Sequence, residues 1–266
     1  AYAKAIALAP LERLDLDPAL RPAPAIITIP MPDGTFARFE YFESAVMHPD
    51  LAAQFPAIRT YVGQGIDDPA ATIRFDRTPQ GFHAQVLSPS GAVYVDPYFD
   101  DTAYAVYWKK DFVPTGKDFV CTTMGETSAT GATESGTRVS RSGTQLRTYR
   151  LAVACTGEYA AFHGGTTEGA MAAIVTTVAR VNGIYEKEMA IRMVLVANNS
   201  DLIFLNAATD GYTNENGGAM LSQNQTKVDS IIGSANYDIG HVVSTGGGGV
   251  AYFGVCNDSL KAGGVT

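Results

Sequence analysis

Residues 146–154 read LRTYRLAVA, a stretch that alternates between polar and apolar side chains and then becomes continuously apolar. This pattern predicts a strand buried on both faces, as the central strand of an α/β sheet is. Downstream, Thr166 can cap a helix that carries Glu168 in its first turn. Residues 191–196, IRMVLV, predict the next strand, so that strand, helix and parallel return strand form a right-handed crossover unit.

One face of that helix is expected to be buried, because its apolar residues recur at intervals of three and four. They are Met171, Ile174, Val175, Val178, Val181, Tyr185 and Met189.

The α/β pattern continues to the end of the sequence and includes a run of glycines. A polar loop at 206–218 precedes a predicted helix at 221–232, and IGHVV at 239–243 predicts a third strand. Residues 246–249 are all glycine, and VAYFG at 250–254 predicts a short strand.

The glycine run has three interpretations. A phosphate-binding loop is disfavoured, because no Lys-Ser/Thr pair follows Gly249 and the next residues predict a strand instead of a helix. A mobile loop is the simplest alternative. The third is an edge strand that approaches another backbone closely, so that Gly249, Val250, Ala251 and Tyr252 offer main-chain hydrogen bonds to an extended peptide.

Residues 1–113 are predicted to form a β-rich domain. Strands are indicated at 26–29, 36–42 and 104–108, and residues 81–95 predict a hairpin with a loop of about four residues. Between them, residues 49–61 show helical spacing. Asp96, followed by Pro97, is interpreted as a turn residue at a strand end.

Residues 114–143 are rich in Ser, Thr and Gly and separate the β-rich domain from the α/β domain at 144–266. Such a composition has too little apolar surface to order itself well, so we expect an exposed linker, where proteases cut. The fold class is therefore α+β followed by α/β, the second part being a mixed twisted sheet with two long helices.

The composition excludes two classes of partner. The formal net charge is −8, and no Lys/Arg cluster is present, so a nucleic-acid backbone would find little to bind. No apolar run approaches the ~18 residues of a membrane span. The first residues, AYAKA, lack the charged and apolar regions of a signal peptide, so they fit either a mature terminus or an arbitrary boundary.

The cysteines and histidines do not form a metal motif. Cys121, Cys155 and Cys256 include no CxxC pair, and their odd number leaves at least one thiol without a partner inside the sequence. They are either buried free cysteines or have a partner, or a metal, elsewhere. The four histidines are widely spaced, and we interpret His163 and His241 as hydrogen-bonded structural residues.

Residues 146–266 resemble a bacterial reprolysin-like (adamalysin-type) metzincin. Four segments carry the resemblance: LRTYRLAVACTGEYAAFHGG, VNGIYEKEMAIRMVLV, NENGGAMLSQNQTKVDSIIGSANYDIGHV and STGGGGVAYFGVCN. More loosely, PMPDGTFARFEYFESAVM, GQGIDDPAATIRFD and SGAVYVDPY resemble the associated propeptide. The resemblance implies a propeptide at 1–113, a linker, and the N-terminal (upper) subdomain of the catalytic domain at 144–266.

The resemblance also implies zinc-dependent peptide-bond hydrolysis, in which HExxHxxGxxH supplies the zinc ligands and the general base. None of His48, His83, His163 and His241 is followed by Glu, so this sequence lacks the motif and contains no catalytic residue or metal ligand. We therefore expect a truncation, with the zinc ligands beyond Thr266.

Other residue roles follow from the same resemblance. In the family, the strand corresponding to 249–252 holds substrate, and a propeptide thiolate can take the open position on zinc. Cys121 is the candidate for that latency role, although FVCT departs from the better-known consensus. Cys256 is a candidate disulfide half, and Cys155 is interpreted as a small core residue. Arg150 replaces an expected acidic residue, so no calcium site is carried over.

The sequence therefore leads to one main hypothesis and two alternatives. The main hypothesis is a secreted zinc endopeptidase, of which this chain supplies the propeptide and half of the cleft; its partners are a peptide or protein substrate and its own downstream catalytic segment. By itself the chain is expected to be inactive. Alternatively, it acts in trans as an inhibitor or folding chaperone, or it is a non-catalytic secreted binding protein.

Overall fold

The computed structural model describes residues 25–99, 103–113, 121–124, 145–254 and 257–266. The chain divides into two compact units, and each is made of several chain segments. Of the described residues, the first comprises 25–46, 55–99, 103–113 and 174–184, and the second comprises 47–54, 121–124, 145–173, 185–254 and 257–266.

A seven-stranded antiparallel sheet forms the first unit, and its strands are neighbours in the order in which they occur in the sequence. The strands are β1 (Ala25–Pro30), β2 (Phe36–Glu43), β3 (Arg59–Gly65), β4 (Thr72–Thr78), β5 (Gly81–Ser88), β6 (Gly91–Phe99) and β7 (Ala103–Trp108). A short 3₁₀ helix at Lys109–Asp111 follows β7.

Alternation along these strands puts apolar side chains on one face, where they form the core of the unit. Tyr41, Tyr61 and Phe75 are each at most 2% exposed and lie at its centre. The rings of Tyr61 and Phe75 stack with centroids 4.7 Å apart, and Tyr41 meets Phe75 edge-on at 4.9 Å. Aromatic pairs at these separations add attraction beyond their buried area.

For the first unit, the predicted strands are present, but the predicted length of one hairpin loop is wrong. The strand predictions at 26–29, 36–42 and 104–108 are confirmed. The loop of the predicted hairpin is shorter than expected, since only residues 89–90 separate β5 from β6. Strands β3 and β4 were not predicted.

The second unit contains a six-stranded mixed sheet in the order β10-β9-β11-β13-β12-β8. Its strands are β8 (Cys121–Met124), β9 (Arg147–Cys155), β10 (Ile191–Leu195), β11 (Ile239–Val243), β12 (Gly249–Tyr252) and β13 (Gly264–Val265). Strand β9 lies between β10 and β11 and is parallel to both, as the central position predicted for it requires.

Four α-helices complete the described structure: α1 (Pro49–Gln54), α2 (Gly157–Phe162), α3 (Thr167–Met189) and α4 (Gly217–Ile231). Two 3₁₀ helices, Asn199–Leu202 and Ser234–Asn236, lie in loops. Helix α1 is shorter than the helical spacing of 49–61 suggested, because β3 begins at Arg59.

Helix α3 starts where the sequence predicts. The Thr166 side chain accepts a hydrogen bond from the Gly169 N–H and so satisfies a donor at the helix start. Of the predicted apolar face, Met171, Ile174, Val175 and Val178 are buried, and Val181 is half-buried.

The last two turns of that face were predicted wrongly. Tyr185 and Met189 are 37% and 43% exposed, so the buried stripe ends before the helix does.

Helix α4 begins four residues earlier than predicted. The Asn216 side chain accepts a hydrogen bond from the Ala219 N–H, which makes Asn216 the N-cap. The helix ends before Gly233, whose φ of 86° is readily adopted by glycine. In the described part of the chain, no helix is both long enough and apolar enough to span a membrane.

Candidate functional site

The glycine run leads directly into a strand. Gly248 adopts a φ of 102°, which glycine accommodates, and β12 begins at the next residue. Along one side β12 pairs antiparallel with β13, with Val250 opposite Val265, and the Tyr252 N–H donates to the Gly263 carbonyl at 2.9 Å. The strand interpretation of this segment is therefore correct.

Two further glycines, Gly263 and Gly217, lie so close to β12 that a side chain would not fit at either position. A β-carbon placed on Gly263 would lie 2.3 Å from the ring of Tyr252, and one placed on Gly217 would lie 2.8 Å from Val250. These contacts let the chain before β13 and the first turn of α4 approach β12 closely.

The other side of β12 is occupied, so the prediction that β12 is an edge strand is wrong for this structure. Strand β8 runs parallel to it, with Cys121 opposite Gly249 and Met124 opposite Tyr252. Beyond the strand, the Phe253 N–H donates to the Met124 carbonyl at 3.0 Å. The outermost strand is β8, which comes from the segment predicted to be a linker.

A cavity of about 210 Å³ lies beside this strand pair, within the second unit. Its wall combines the glycine run, the start of α4 and two side chains of β8, Thr122 and Met124. Glu215 and Asn214 supply polar groups, and Thr266 lies at the other side.

Cys121 lies at the start of β8 with its side chain exposed and its thiol free. A β-carbon on Gly249 would lie 3.6 Å from the Cys121 sulfur, so this thiol is next to the glycine end of β12. Cys256, the disulfide candidate, lies outside the described residues.

Cys155 is a core residue, as predicted. It is fully buried at the end of β9, and burial raises the pKa of its thiol to about 12. A thiol in this state is almost entirely protonated at neutral pH and is therefore a poor nucleophile.

His163 and His241, the two histidines of residues 144–266, contact neighbouring protein side chains. The His241 ring nitrogen Nε2 is 2.9 Å from the Thr266 hydroxyl, and burial lowers the pKa of this side chain to about 4. His163 ends α2, its ring packs on Tyr159 with centroids 4.5 Å apart, and burial lowers its pKa. The His163 ring is therefore held by packing against Tyr159, whereas the sequence analysis predicted a hydrogen-bonded side chain.

The residues at hand do not fit a zinc ion. Over residues 25–99, 103–113, 121–124, 145–254 and 257–266, no group of three or more His, Cys, Asp or Glu side chains could hold a metal. The sequence itself contains no HExxH.

Arg150 forms an ion pair. Its guanidinium contacts both carboxylate oxygens of Asp238, the closest at 2.7 Å, and Nη1 donates to the Ala235 carbonyl at 2.9 Å. The Asp238 carboxylate also accepts from the Arg150 backbone N–H, and these bonds lower its pKa. The arginine thus links β9 to the turn before β11.

Two features of this site escaped sequence reasoning. Strand β13 has only two residues, both in a Gly-rich end of the sequence, so no periodicity could mark it. Strand β8 is too short for a pattern as well, although its two threonines and the preceding Val120 favour extended backbone.

Comparison with known proteins agrees with the resemblance seen in the sequence. No curated protein matches the chain at a significant level. The family model described as metallo-peptidase family M12B, reprolysin-like, matches residues 145–266, which contain all of the second sheet except β8. Residues 145–266 are therefore similar to the reprolysin-like M12B metallopeptidases, which supports the resemblance to a reprolysin-like metzincin.

Proposed function

We propose that this chain supplies the propeptide and the upper, substrate-aligning part of the catalytic domain of a secreted zinc endopeptidase. The zinc ligands and the general base of that enzyme would come from residues outside this sequence, which by itself is expected to be inactive. The observation that carries the proposal is the pairing of β8 with β12, a strand of the family-matched residues 145–266.

Main-chain pairing is the way an extended peptide adds to a sheet. Four consecutive residues of β12 already accept such a partner, and that partner, β8, has four exposed side chains. Because it buries none of its own side chains, β8 is held chiefly by main-chain hydrogen bonds, and a peptide of other sequence can replace it. With β8 displaced, the remaining wall of the cavity, formed by the glycine run, the start of α4 and Glu215, would face a substrate side chain.

In this proposal β8 is the element of latency. While it is paired, no substrate reaches the same side of β12, whatever the state of the zinc. Cys121 is the candidate thiol ligand, because it begins β8 and lies next to Gly249. The proposal predicts that removal of β8 opens the strand.

Peptide binding to the complete 266-residue chain tests this directly. Thr122→Pro removes an N–H from the middle of β8 and restricts its backbone, whereas Thr122→Val leaves the backbone unchanged. We expect a fluorescent, unstructured octapeptide to bind Thr122→Pro at least about tenfold more tightly than either the wild type or Thr122→Val, by fluorescence anisotropy. Adding Ala251→Pro on β12 should abolish the gain.

The proposed role of β12 would be overturned if the wild type, Thr122→Pro, Thr122→Val and the double variant bound the octapeptide with equal affinity while their circular dichroism spectra were unchanged. Zinc content and peptidase activity are measured on the same preparations. Stoichiometric zinc with activity in the 266-residue chain would refute the assignment of the ligands to residues outside it.

A second function, inhibition or assisted folding in trans, is favoured by the same strand. A chain that carries its own occupant for β12 can offer that strand to another copy of the domain. Titration of the chain into the mature enzyme tests this alternative: progressive loss of activity supports it, and an unchanged rate at a tenfold excess excludes it.

A further inference from the structure

The second face of the first sheet carries polar side chains that are buried. On β4, Ile73 and Phe75 point into the apolar core, so Arg74 and Asp76 lie on the opposite face, yet they are only 5% and 2% exposed. On β6, Asp96 lies on this same polar face. The polar face of an alternating strand is expected to meet solvent. Because Arg74 and Asp76 are shielded from solvent instead, another element must cover this face of the sheet.

The cover is the middle of α3. Residues 174–184 belong to the first compact unit together with the sheet, although they follow the 114–143 segment in the chain. Thr176, Arg180 and Gly183 are spaced by four and three residues, which places them on one face of the helix. Each of the three meets the polar face of the sheet.

Thr176 docks on a buried carboxylate. Its hydroxyl donates to Asp76 Oδ1 at 3.1 Å, and the same oxygen lies 2.9 Å from Nδ1 of His83, which is opposite Asp76 on β5. Burial raises the pKa of Asp76, the bonds to His83 and Thr176 act against that rise, and Arg180 adds a smaller opposing effect.

Arg180 docks on a second carboxylate, and this pair also corrects a prediction. Arg180 Nη2 hydrogen-bonds to Asp96 Oδ1, and its guanidinium lies over the ring of Tyr94 at 4.9 Å. The Tyr107 hydroxyl donates to the other Asp96 oxygen at 2.8 Å. Asp96 is thus a paired residue inside β6, and its interpretation as a turn residue is wrong.

Gly183 permits the close approach that these bonds require. A β-carbon at this position would lie 2.8 Å from Oε1 of Gln85 and 3.3 Å from the Arg74 side chain. A larger residue would therefore push the helix away from β4 and β5.

We propose that the polar face of the first sheet is a docking surface for the Thr176–Arg180–Gly183 face of α3, and that it holds the β-rich domain on this helix after the chain between them is cut. The partner is thus the downstream part of the same chain. Cleavage in the 114–143 segment does not by itself release the β-rich domain. The inference concerns association only and depends on neither zinc nor peptidase activity.

The test uses the complete chain with a sequence-specific protease site inserted between Gly116 and Lys117. This position keeps β8 on the same fragment as β12, so the pairing of these two strands cannot hold the fragments together. After cutting, the two wild-type fragments are expected to elute together in gel filtration at micromolar concentration. Arg180→Met should weaken their association about 100-fold, because it leaves the half-buried Asp96 carboxylate without its cation. Thr176→Val keeps the shape of the side chain and should weaken it about tenfold.

Arg38→Met is the matched control. Arg38 also pairs with a carboxylate, Asp67, but the two side chains are 56% and 40% exposed and both lie in the N-terminal fragment. This control should elute like the wild type. Separation of the wild-type fragments directly after cutting would overturn the proposal, as would equal association of Arg180→Met, Thr176→Val and Arg38→Met. If uncut Arg180→Met does not fold, Thr176→Val alone decides between these outcomes.

Discussion

Two cysteines of similar sequence context have opposite surroundings at the residue scale. Cys155 is fully buried with its thiol pKa raised to about 12, whereas Cys121 is an exposed free thiol on β8. At pH 8 roughly 10⁻⁴ of a thiol with such a pKa is ionised, so Cys155 should resist alkylation.

We therefore expect iodoacetamide to modify Cys121 in the native protein and to spare Cys155. Peptide mass mapping after a timed reaction distinguishes the two. Complete modification of both in guanidinium chloride is the control. Labelling of Cys155 at the rate of Cys121 in the native state would contradict its burial.

His241 should make the stability depend on pH. Its pKa is lowered from 6.5 to about 4 by burial, so the folded protein holds the neutral ring where the unfolded chain already binds a proton. This contribution is fully present above about pH 6.5 and is lost as the pH falls towards 4.

In His241→Gln, the free energy of unfolding should therefore fall less steeply between pH 6.5 and 4.5 than in the wild type. Urea denaturation at several pH values measures both slopes. Parallel curves for the two proteins would show that the ring is not buried in its neutral form.

At the scale of single elements, the start of α4 rests on one side chain. Asn216 accepts from the Ala219 N–H at 3.1 Å, and the first turn of this helix lies against β12. Asn216→Ala should lower the free energy of unfolding by about 1 kcal/mol, because a terminal N–H loses its partner.

Asn216→Asp keeps an accepting oxygen and is the matched variant, expected to stay within about 0.5 kcal/mol of the wild type. Equilibrium denaturation in urea gives both values. Equal losses in the two variants would mean that the cap does not stabilise the helix.

At the scale of the whole molecule, the order of proteolytic cuts tests the division at 1–113, 114–143 and 144–266. The sequence predicts an exposed linker, but residues 121–124 within it are paired with β12. Backbone held in a sheet is cut slowly, since proteases need an extended and accessible segment.

Limited trypsin digestion should therefore cut first at Arg138 or Arg141 and leave residues 25–108 intact. Mass spectrometry of the early fragments identifies the bonds. A first cut inside the seven-stranded sheet would contradict the domain boundaries.

The sequence by itself determined the elements whose pattern is local. The LRTYRLAVA strand, the Thr166 cap, the start of the buried face of α3 and the strand after the glycine run were all predicted, since each depends on residues within a few positions of one another. Its resemblance to the reprolysin family also agrees with the family match.

Only the tertiary structure decided which elements meet. Main-chain hydrogen bonds are alike in every sequence, so nothing in CTTM or in the Gly-rich end marks β8 and β13 as the neighbours of β12. Likewise, Asp76 and Asp96 lie on the polar face of the first sheet, and nothing near them in the sequence marks their partners Thr176 and Arg180, which lie 100 and 84 residues further along the chain. Pairing over such distances is selected by the packing of whole elements, and local periodicity does not encode it.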